Sequence, residues 1–218
     1  MDISEYLPVW SRLTEKEQDV LRKNASLHRV SAGEAIGGGA GKCTGLFVVT
    51  EGQIRAYLIS ESGKEFTLFR LLNRDLCLFS ASCMMNSFQS DIMVKAERDS
   101  SFWLIPAEVY RTLMEESVVI SNFTNEILAN RMSEIIWLME QHMWTSFDCR
   151  LAAFLLEESA LEASDRLSVT HEEIAGHLGT AREVVTRMLK HFRSEGYVAL
   201  SRGFVEIKDR KGLQAAYL

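Results

Sequence analysis

The amino-acid sequence predicts an α+β protein: a β-roll front, a long central helix, and a C-terminal domain of short helices closed by a hairpin. Three observations carry this reading. Residues 30–105 break into short apolar and β-branched runs punctuated by glycine. From Pro106 to Trp144 the apolar spacing becomes helical. From Thr170 onward two short helical patterns meet at a glycine, and two short strand-like runs follow.

The β reading rests on GLFVVTEG, QIRAYLIS, EFTLFRLL, IMVKAE and SFWLIP, with turn signals between them such as Glu61-Ser62-Gly63-Lys64, whose glycine suits a left-handed hairpin position. Many short strands of this kind close into a small barrel or a jelly roll. The run Gly37-Gly38-Gly39-Ala40-Gly41 reads as a loop, because no GK[ST] and no helical pattern follow it as a phosphate cradle requires.

Pro106 suits a first helical position and Ser117 a helix cap. Between Phe123 and Trp144 twelve of twenty-two residues are apolar. Ala129, Met132, Ile136, Met139 and Met143 recur at helical spacing, with Leu128, Ile135, Trp137 and Leu138 on adjoining faces. That is more apolar surface than one stripe requires. It points to a homodimer built on this helix, or to a monomer in which both faces meet intramolecular neighbours. The expected divisions are residues 1–116 for the β domain with flanking helices, 117–145 for the dimerisation helix and 146–218 for the last domain.

In that last domain, Cys149–Ala160 reads as an amphipathic helix and Glu162-Ala163-Ser164-Asp165 as a break. Thr170-His171-Glu172-Glu173 has the form of a capping box, and Gly179 can stop the helix it starts. The next helix sorts by angle. Counting 100° per residue from Arg182, Val184, Val185, Met188, Leu189 and Phe192 fall between about 200° and 340°. Arg182, Glu183, Thr186, Arg187, Lys190 and Arg193 fall between about 0° and 140°. One face can be buried while the other offers arginines able to donate to guanine O6 and N7, and a glutamate able to accept from cytosine N4. Tyr197–Leu200 and Phe204–Ile207 then read as a hairpin, a wing, with Arg202 at its tip and Lys208, Arg210 and Lys211 nearby as phosphate contacts.

Charge agrees with this division of labour. The chain carries a formal net charge of −6, yet from Asp165 to the end nine lysines and arginines face seven carboxylates. The tail is therefore net +2 and the remainder −8, so polyanion contact belongs to the tail. No stretch approaches the apolar length of a membrane span, and the start lacks the pattern of a signal peptide, which points to a cytoplasmic protein. Cys43, Cys77, Cys83 and Cys149 form no CxxC pair and no zinc-finger spacing with the five histidines, so they read as reduced, packed thiols.

The stretch VTHEEIAGHLGTAREVVTRMLKHFRSEGYV resembles the winged helix-turn-helix of the CRP/FNR family of bacterial transcription regulators. AGEAI and LFVVTEGQIRAYLISESGKEFTL resemble that family's cyclic-nucleotide-binding-type jelly roll, and the segment order over nearly the whole chain is similar. The resemblance implies a homodimer on an inverted-repeat site in double-stranded DNA, with RNA polymerase as a further partner. It implies that Arg182, Glu183 and Arg187 contact bases and that Thr186 occupies a position that sets sequence preference. Thr170, Thr180, Lys190 and Arg202 complete the expected DNA-facing set. Ala181 departs from a serine common in the family, and Thr180 is the candidate to cap the helix in its place.

The sensor part departs further. The branch that binds cyclic AMP has a Gly-Glu pair and an Arg-Ser pair around the cyclic phosphate. Here the corresponding stretches are NRDLCLFSASCMM and SFQSDIMV, with Phe79 in place of the glutamate and Ser90-Asp91 in place of Arg-Ser. A buried phosphate with no arginine and a nearby carboxylate is electrostatically unfavourable, which counts against cyclic AMP. The resemblance implies an N-terminal cysteine cluster for the family's iron-sulfur branch, whereas residues 1–42 contain no cysteine, and a histidine near Cys77 for its CO-sensing haem branch, where Phe79 stands instead. A small organic or thiol-reactive effector touching Phe79, Ser80, Ser82 and Cys83 is the expectation that remains. The rival readings are an effector-binding protein whose helix-turn-helix meets protein, and a haem- or thiol-based redox or gas sensor. A cupin-like enzyme needs a histidine-carboxylate metal set, and residues 30–105 contain no histidine.

Overall fold

The computed structural model describes residues 2–37, 45–61, 63–78 and 92–217. The expected effector residues Phe79, Ser80, Ser82 and Cys83, and most of the glycine-rich run from Gly37, lie outside them. The chain packs as two compact units: Met1–Ile59 with Leu68–Ile135, and Ser60–Thr67 with Ile136–Leu218.

The first unit opens with short 3-10 turns and helix α1 (Glu15–Asn24), which starts in a capping box between Thr14 and Glu17. Strands β1 (Ser26–Val30), β2 (Ala35–Gly37), β3 (Gly45–Glu51), β4 (Ile54–Ile59), β5 (Glu65–Leu71), β6 (Leu76–Cys77), β7 (Met93–Ala96) and β8 (Ser100–Pro106) follow. Among the described residues they form two four-stranded sheets, in the orders β1-β8-β3-β6 and β2-β7-β4-β5. The pairs β1–β8, β3–β8, β3–β6, β2–β7 and β4–β7 are antiparallel.

Strand β3 is buried from Gly45 to Thr50, and alternation explains why both faces are apolar. Phe47 and Val49 point into a cluster with Ile54, Ala56, Leu71, Cys77, Val94 and Phe102. Leu46 and Val48 point the other way, into a cluster with Leu21, Ile105, Tyr110, Leu113, Ile120 and Phe123. That second cluster joins the strands to α1, α2 (Ala107–Glu116) and the start of α3 (Val118–Trp144). Pro106 is the cap before α2 rather than its first residue, because it also ends β8 in extended backbone. Ser117 does act at the start of α3, its Oγ accepting from the Ile120 amide at 3.3 Å. Burial pushes the Tyr110 hydroxyl up to about 12, and it is hydrogen-bonded to Thr124 at 2.9 Å.

Helix α3 runs 27 residues. Its early face is buried at Ile120, Phe123, Thr124 and Ile127. Ala129, Met132, Ile136, Met139 and Met143, the row expected to meet a partner helix, are exposed in the single chain, as are Trp137 and Trp144. Met143 is 67% and Trp144 80% exposed.

The second unit contains α4 (Phe147–Glu162), β9 (Arg166–Leu167), α5 (His171–Leu178), α6 (Arg182–Ser194), β10 (Val198–Ser201), β11 (Phe204–Ile207) and α7 (Arg210–Tyr217). One core joins them: Leu151 and Leu155 of α4, Ile174 of α5, Val185, Leu189 and Phe192 of α6, Val198, Val205 and Ile207 of the hairpin, and Leu213 of α7. Two elements were absent from the sequence reading. Strand β9 adds a third strand to the hairpin in the order β10-β11-β9, and α7 packs along α4. The Ser60–Thr67 turn, carried by β4 and β5, belongs to this unit. Gly63 supplies its left-handed conformation at φ +78°.

Candidate nucleic-acid interface

The helix-turn-helix is built by local chemistry. Thr170 caps α5, its Oγ1 accepting from the Glu173 amide at 3.2 Å while the Glu173 carboxylate accepts from the Thr170 amide at 2.7 Å. Both orphan donors at the helix start are thereby satisfied. Gly179 ends α5 at φ +62°, a left-handed conformation that any side chain would oppose. Space forbids a side chain there too: a Cβ on Gly179 would lie 2.6 Å from Phe66 Cδ2.

Helix α6 then starts at Arg182, and its cap is Ala181. The expectation that Thr180 caps it is corrected: no side chain bonds the first amides of α6, and the Thr180 amide donates to the Ala175 carbonyl at 3.0 Å. Thr180 is drawn into the end of α5, one residue too early to reach the first turn of α6. The angular sorting holds. Val185, Leu189 and Phe192 are buried, whereas Arg182, Glu183, Arg187, Lys190 and Arg193 are exposed. Arg182, Glu183, Thr186, Arg187 and Lys190 line one shallow surface depression.

Helix α6 closes with a Schellman arrangement, in which the Tyr197 amide donates to the Phe192 carbonyl at 2.9 Å and Gly196 adopts φ +80°. The hairpin follows at once, and exposed Arg202 sits in its turn beside Gly203. Of the other cations expected near phosphates, two have internal work. Lys208 pairs with Glu206 at 2.7 Å, and Arg210 pairs with Asp165 and Ser159. The Ser159 hydroxyl, then Arg210, holds the Asp165 carboxyl below its usual range.

Behind α5 lies a cation with no carboxylate partner among the described residues. Arg150 of α4 donates to His142 Nδ1 at 2.7 Å and lies over the Phe147 ring. Burial, then the Arg150 charge, holds the His142 ring below its usual pKa. Because Arg150 is donor only, Nδ1 accepts and the ring is neutral. Phe66 meets His142 edge-on with ring centroids 4.6 Å apart, and Thr67 Oγ1 is hydrogen-bonded to His177 Nδ1 at 2.9 Å.

One contact inside the interface was invisible in sequence. His171 Nδ1, at the first residue of α5, is hydrogen-bonded to Thr186 Oγ1 in the middle of α6 at 2.9 Å. Burial, then Arg182 and Lys190, holds the His171 ring below its usual pKa.

A two-sheet β roll, a long helix and a winged helix-turn-helix define a family as well as a fold. A family model described as the Crp-like helix-turn-helix domain matches residues 149–216, and one described as the cyclic nucleotide-binding domain matches residues 27–117. The chain belongs to the CRP/FNR family of transcription regulators. A solved structure of a candidate transcriptional regulator of that family from Eubacterium rectale is 46% identical, with a TM-score of 0.96, covering 98% of this chain and 99% of that one. The cyclic AMP receptor protein of Thermus thermophilus is 25% identical over 164 residues, 75% of each chain. The anaerobic regulatory protein of Haemophilus influenzae is 27% identical over 178 residues, 77% of this chain and 67% of that one. No helix among the described residues is long and apolar enough to cross a membrane.

Proposed function

We propose that the chain is a homodimeric, sequence-specific DNA-binding transcription regulator, governed by a small effector other than cyclic AMP. Helix α6 enters the major groove, where Arg182, Glu183, Thr186 and Arg187 meet base edges. Thr170, Thr180, Lys190 and Arg202 lie along the phosphates. The observation that carries the reading is the two-faced α6, with Val185, Leu189 and Phe192 sunk in the core and its charged face gathered in one depression.

Selection from a random duplex library, followed by footprinting on the enriched sites, tests this. Arg187→Ala is expected to weaken specific binding by about 1–3 kcal/mol and to relax preference at one base pair of each half-site. Unchanged sequence preference in that variant would sink the base-reading assignment and favour a helix-turn-helix that meets protein.

Dimerisation through Ala129, Met132, Ile136, Met139 and Met143 is supported by their exposure on one row of α3. The three segments 1–116, 117–145 and 146–218 then serve sensing, pairing and reading. In the proposed control, effector binding biases two packings of α3, and the hinge at Trp144–Phe147 reorients the reading heads. Phe79, Ser80, Ser82 and Cys83 remain the proposed effector contacts. Thermal-shift screening of Ser82→Ala and Cys83→Ser against the wild type tests them: stabilisation of both variants by every hit, at wild-type strength, removes these residues from the pocket.

A further inference from the structure

We infer that His171 is a positioning residue for base reading, whose Nδ1 contact with Thr186 Oγ1 decides whether that hydroxyl donates to or accepts from the base it faces. The inference rests on the DNA-reading function proposed above and names one part of its specificity.

The argument begins with proton counting. A threonine hydroxyl has one hydrogen to give and lone pairs to receive. Thr186 is half-buried, so one side of its hydroxyl meets His171 at 2.9 Å while the residue also lines the depression shared with Arg182, Glu183, Arg187 and Lys190. When His171 Nδ1 carries no proton, the hydroxyl gives its hydrogen to the ring and shows the groove only lone pairs. It then favours bases that donate there, adenine through N6 or cytosine through N4. When Nδ1 is protonated, the ring donates to Oγ1 and the hydroxyl hydrogen is released toward the groove. It then favours bases that accept, guanine through O6 and N7 or thymine through O4. The imidazolium has hydrogens on both nitrogens, so charging the ring forces the second state.

The surroundings set when this happens. From α6, Arg182 and Lys190 face the ring, with Glu183 and Arg187 on the same helix face; on α5 its neighbours are Glu172 and Glu173. The Glu173 carboxylate is already held by Thr170, accepting from its amide at 2.7 Å and its hydroxyl at 2.8 Å. In the free protein burial, then the Arg182 and Lys190 cations, disfavour the charged ring. A DNA phosphate beside the start of α5 would pull the other way and favour the charged ring. Acidification of the bound complex therefore moves the base preference from donor to acceptor bases at a single position.

The test is library selection with the full-length chain at pH 8.0 and pH 5.5, scored position by position. In the wild type, one base pair per half-site is expected to shift between the two classes by about five- to tenfold, the worth of one hydrogen bond. His171→Asn is expected to abolish that shift while keeping the Arg187-dependent preference at its own position, and Thr186→Val is expected to lose the shift together with the preference at that base pair. NMR titration of the His171 ring in DNA-free protein supplies a second readout, and the curve must move in Thr186→Val. Three results overturn the inference: the same preference at both pH values in the wild type, a pH shift that survives in Thr186→Val, or a His171 titration indifferent to that variant. Loss of all sequence preference at both pH values would sink the DNA-reading function together with it, a failure told apart by the absence of any Arg187→Ala effect.

Discussion

Gly179 and Ala163 occupy the same unusual backbone region for opposite reasons. Gly179 ends α5 at φ +62° with Phe66 against the space a side chain would need. Gly179→Ala is expected to cost at least about 1–2 kcal/mol from the left-handed backbone alone, with the Phe66 overlap added. A lower thermal midpoint and weaker DNA binding together are the expected signs; an unchanged midpoint would show that Phe66 yields without cost. Ala163 ends α4 at φ +49°, where a β-carbon is only tolerated. Ala163→Gly removes that penalty and is expected to stabilise by about 0.5–1 kcal/mol, read as a shifted urea midpoint with unchanged slope. Alanine was unremarkable in the sequence at 163, because a left-handed cap is normally announced by glycine or asparagine.

At the scale of elements, α5 exists because its start is doubly satisfied and its end is turned. Thr170→Ala removes the Oγ1 that the Glu173 amide needs and is expected to cost about 1 kcal/mol of stability. Thr170→Ser keeps the oxygen and should restore the loss; a serine variant as weak as alanine would move the effect to the lost methyl. Helix α3 carries the row proposed to pair with a second copy, exposed in the single chain. Met139→Glu combined with Met143→Glu is expected to turn a sedimenting dimer into a monomer, by setting like charges and desolvation against the paired faces. A variant that sediments as wild type would place the interface elsewhere. The hairpin shows why counting cations is insufficient: Arg202 is exposed in the turn, whereas Lys208 and Arg210 are engaged with Glu206 and Asp165.

For the whole molecule, proton linkage sets the pH range of stability. His142 and His171 both have folded pKa values held below the ordinary 6.5 by burial and by neighbouring cations. The unfolded chain therefore binds protons first as pH falls, so stability is full above about 6.5 and declines below it until the folded rings charge. Asp148, held low first by the Ser146 hydroxyl, and Asp165 behave otherwise, contributing above their unfolded values near 3.8 and losing that contribution only at more acid pH. Urea midpoints are thus expected to fall between pH 7.5 and pH 5.5, with a smaller fall in His142→Gln. A midpoint that rises over this interval would contradict the neutral His142 held by Arg150.

Local spacing determined much of this protein in advance. The capping box at Thr170, the glycine stop at 179, the two faces of α6 and the hairpin around Arg202 all depend on residues within a few positions of one another, where helix and strand periods act directly. The β roll was legible for the same reason, through alternation and turn glycines. Tertiary structure decided what joins distant positions: His171 on Thr186, Phe66 closing over Gly179, Arg210 holding Asp165, and the short β9 and α7 that complete the last core. No local period encodes these contacts, since each exists only once packing has brought separate elements within hydrogen-bond or van der Waals reach. The sequence thus specified which residues share the outward face of α6, and the packing of α5 against α6 decided which of them meets His171.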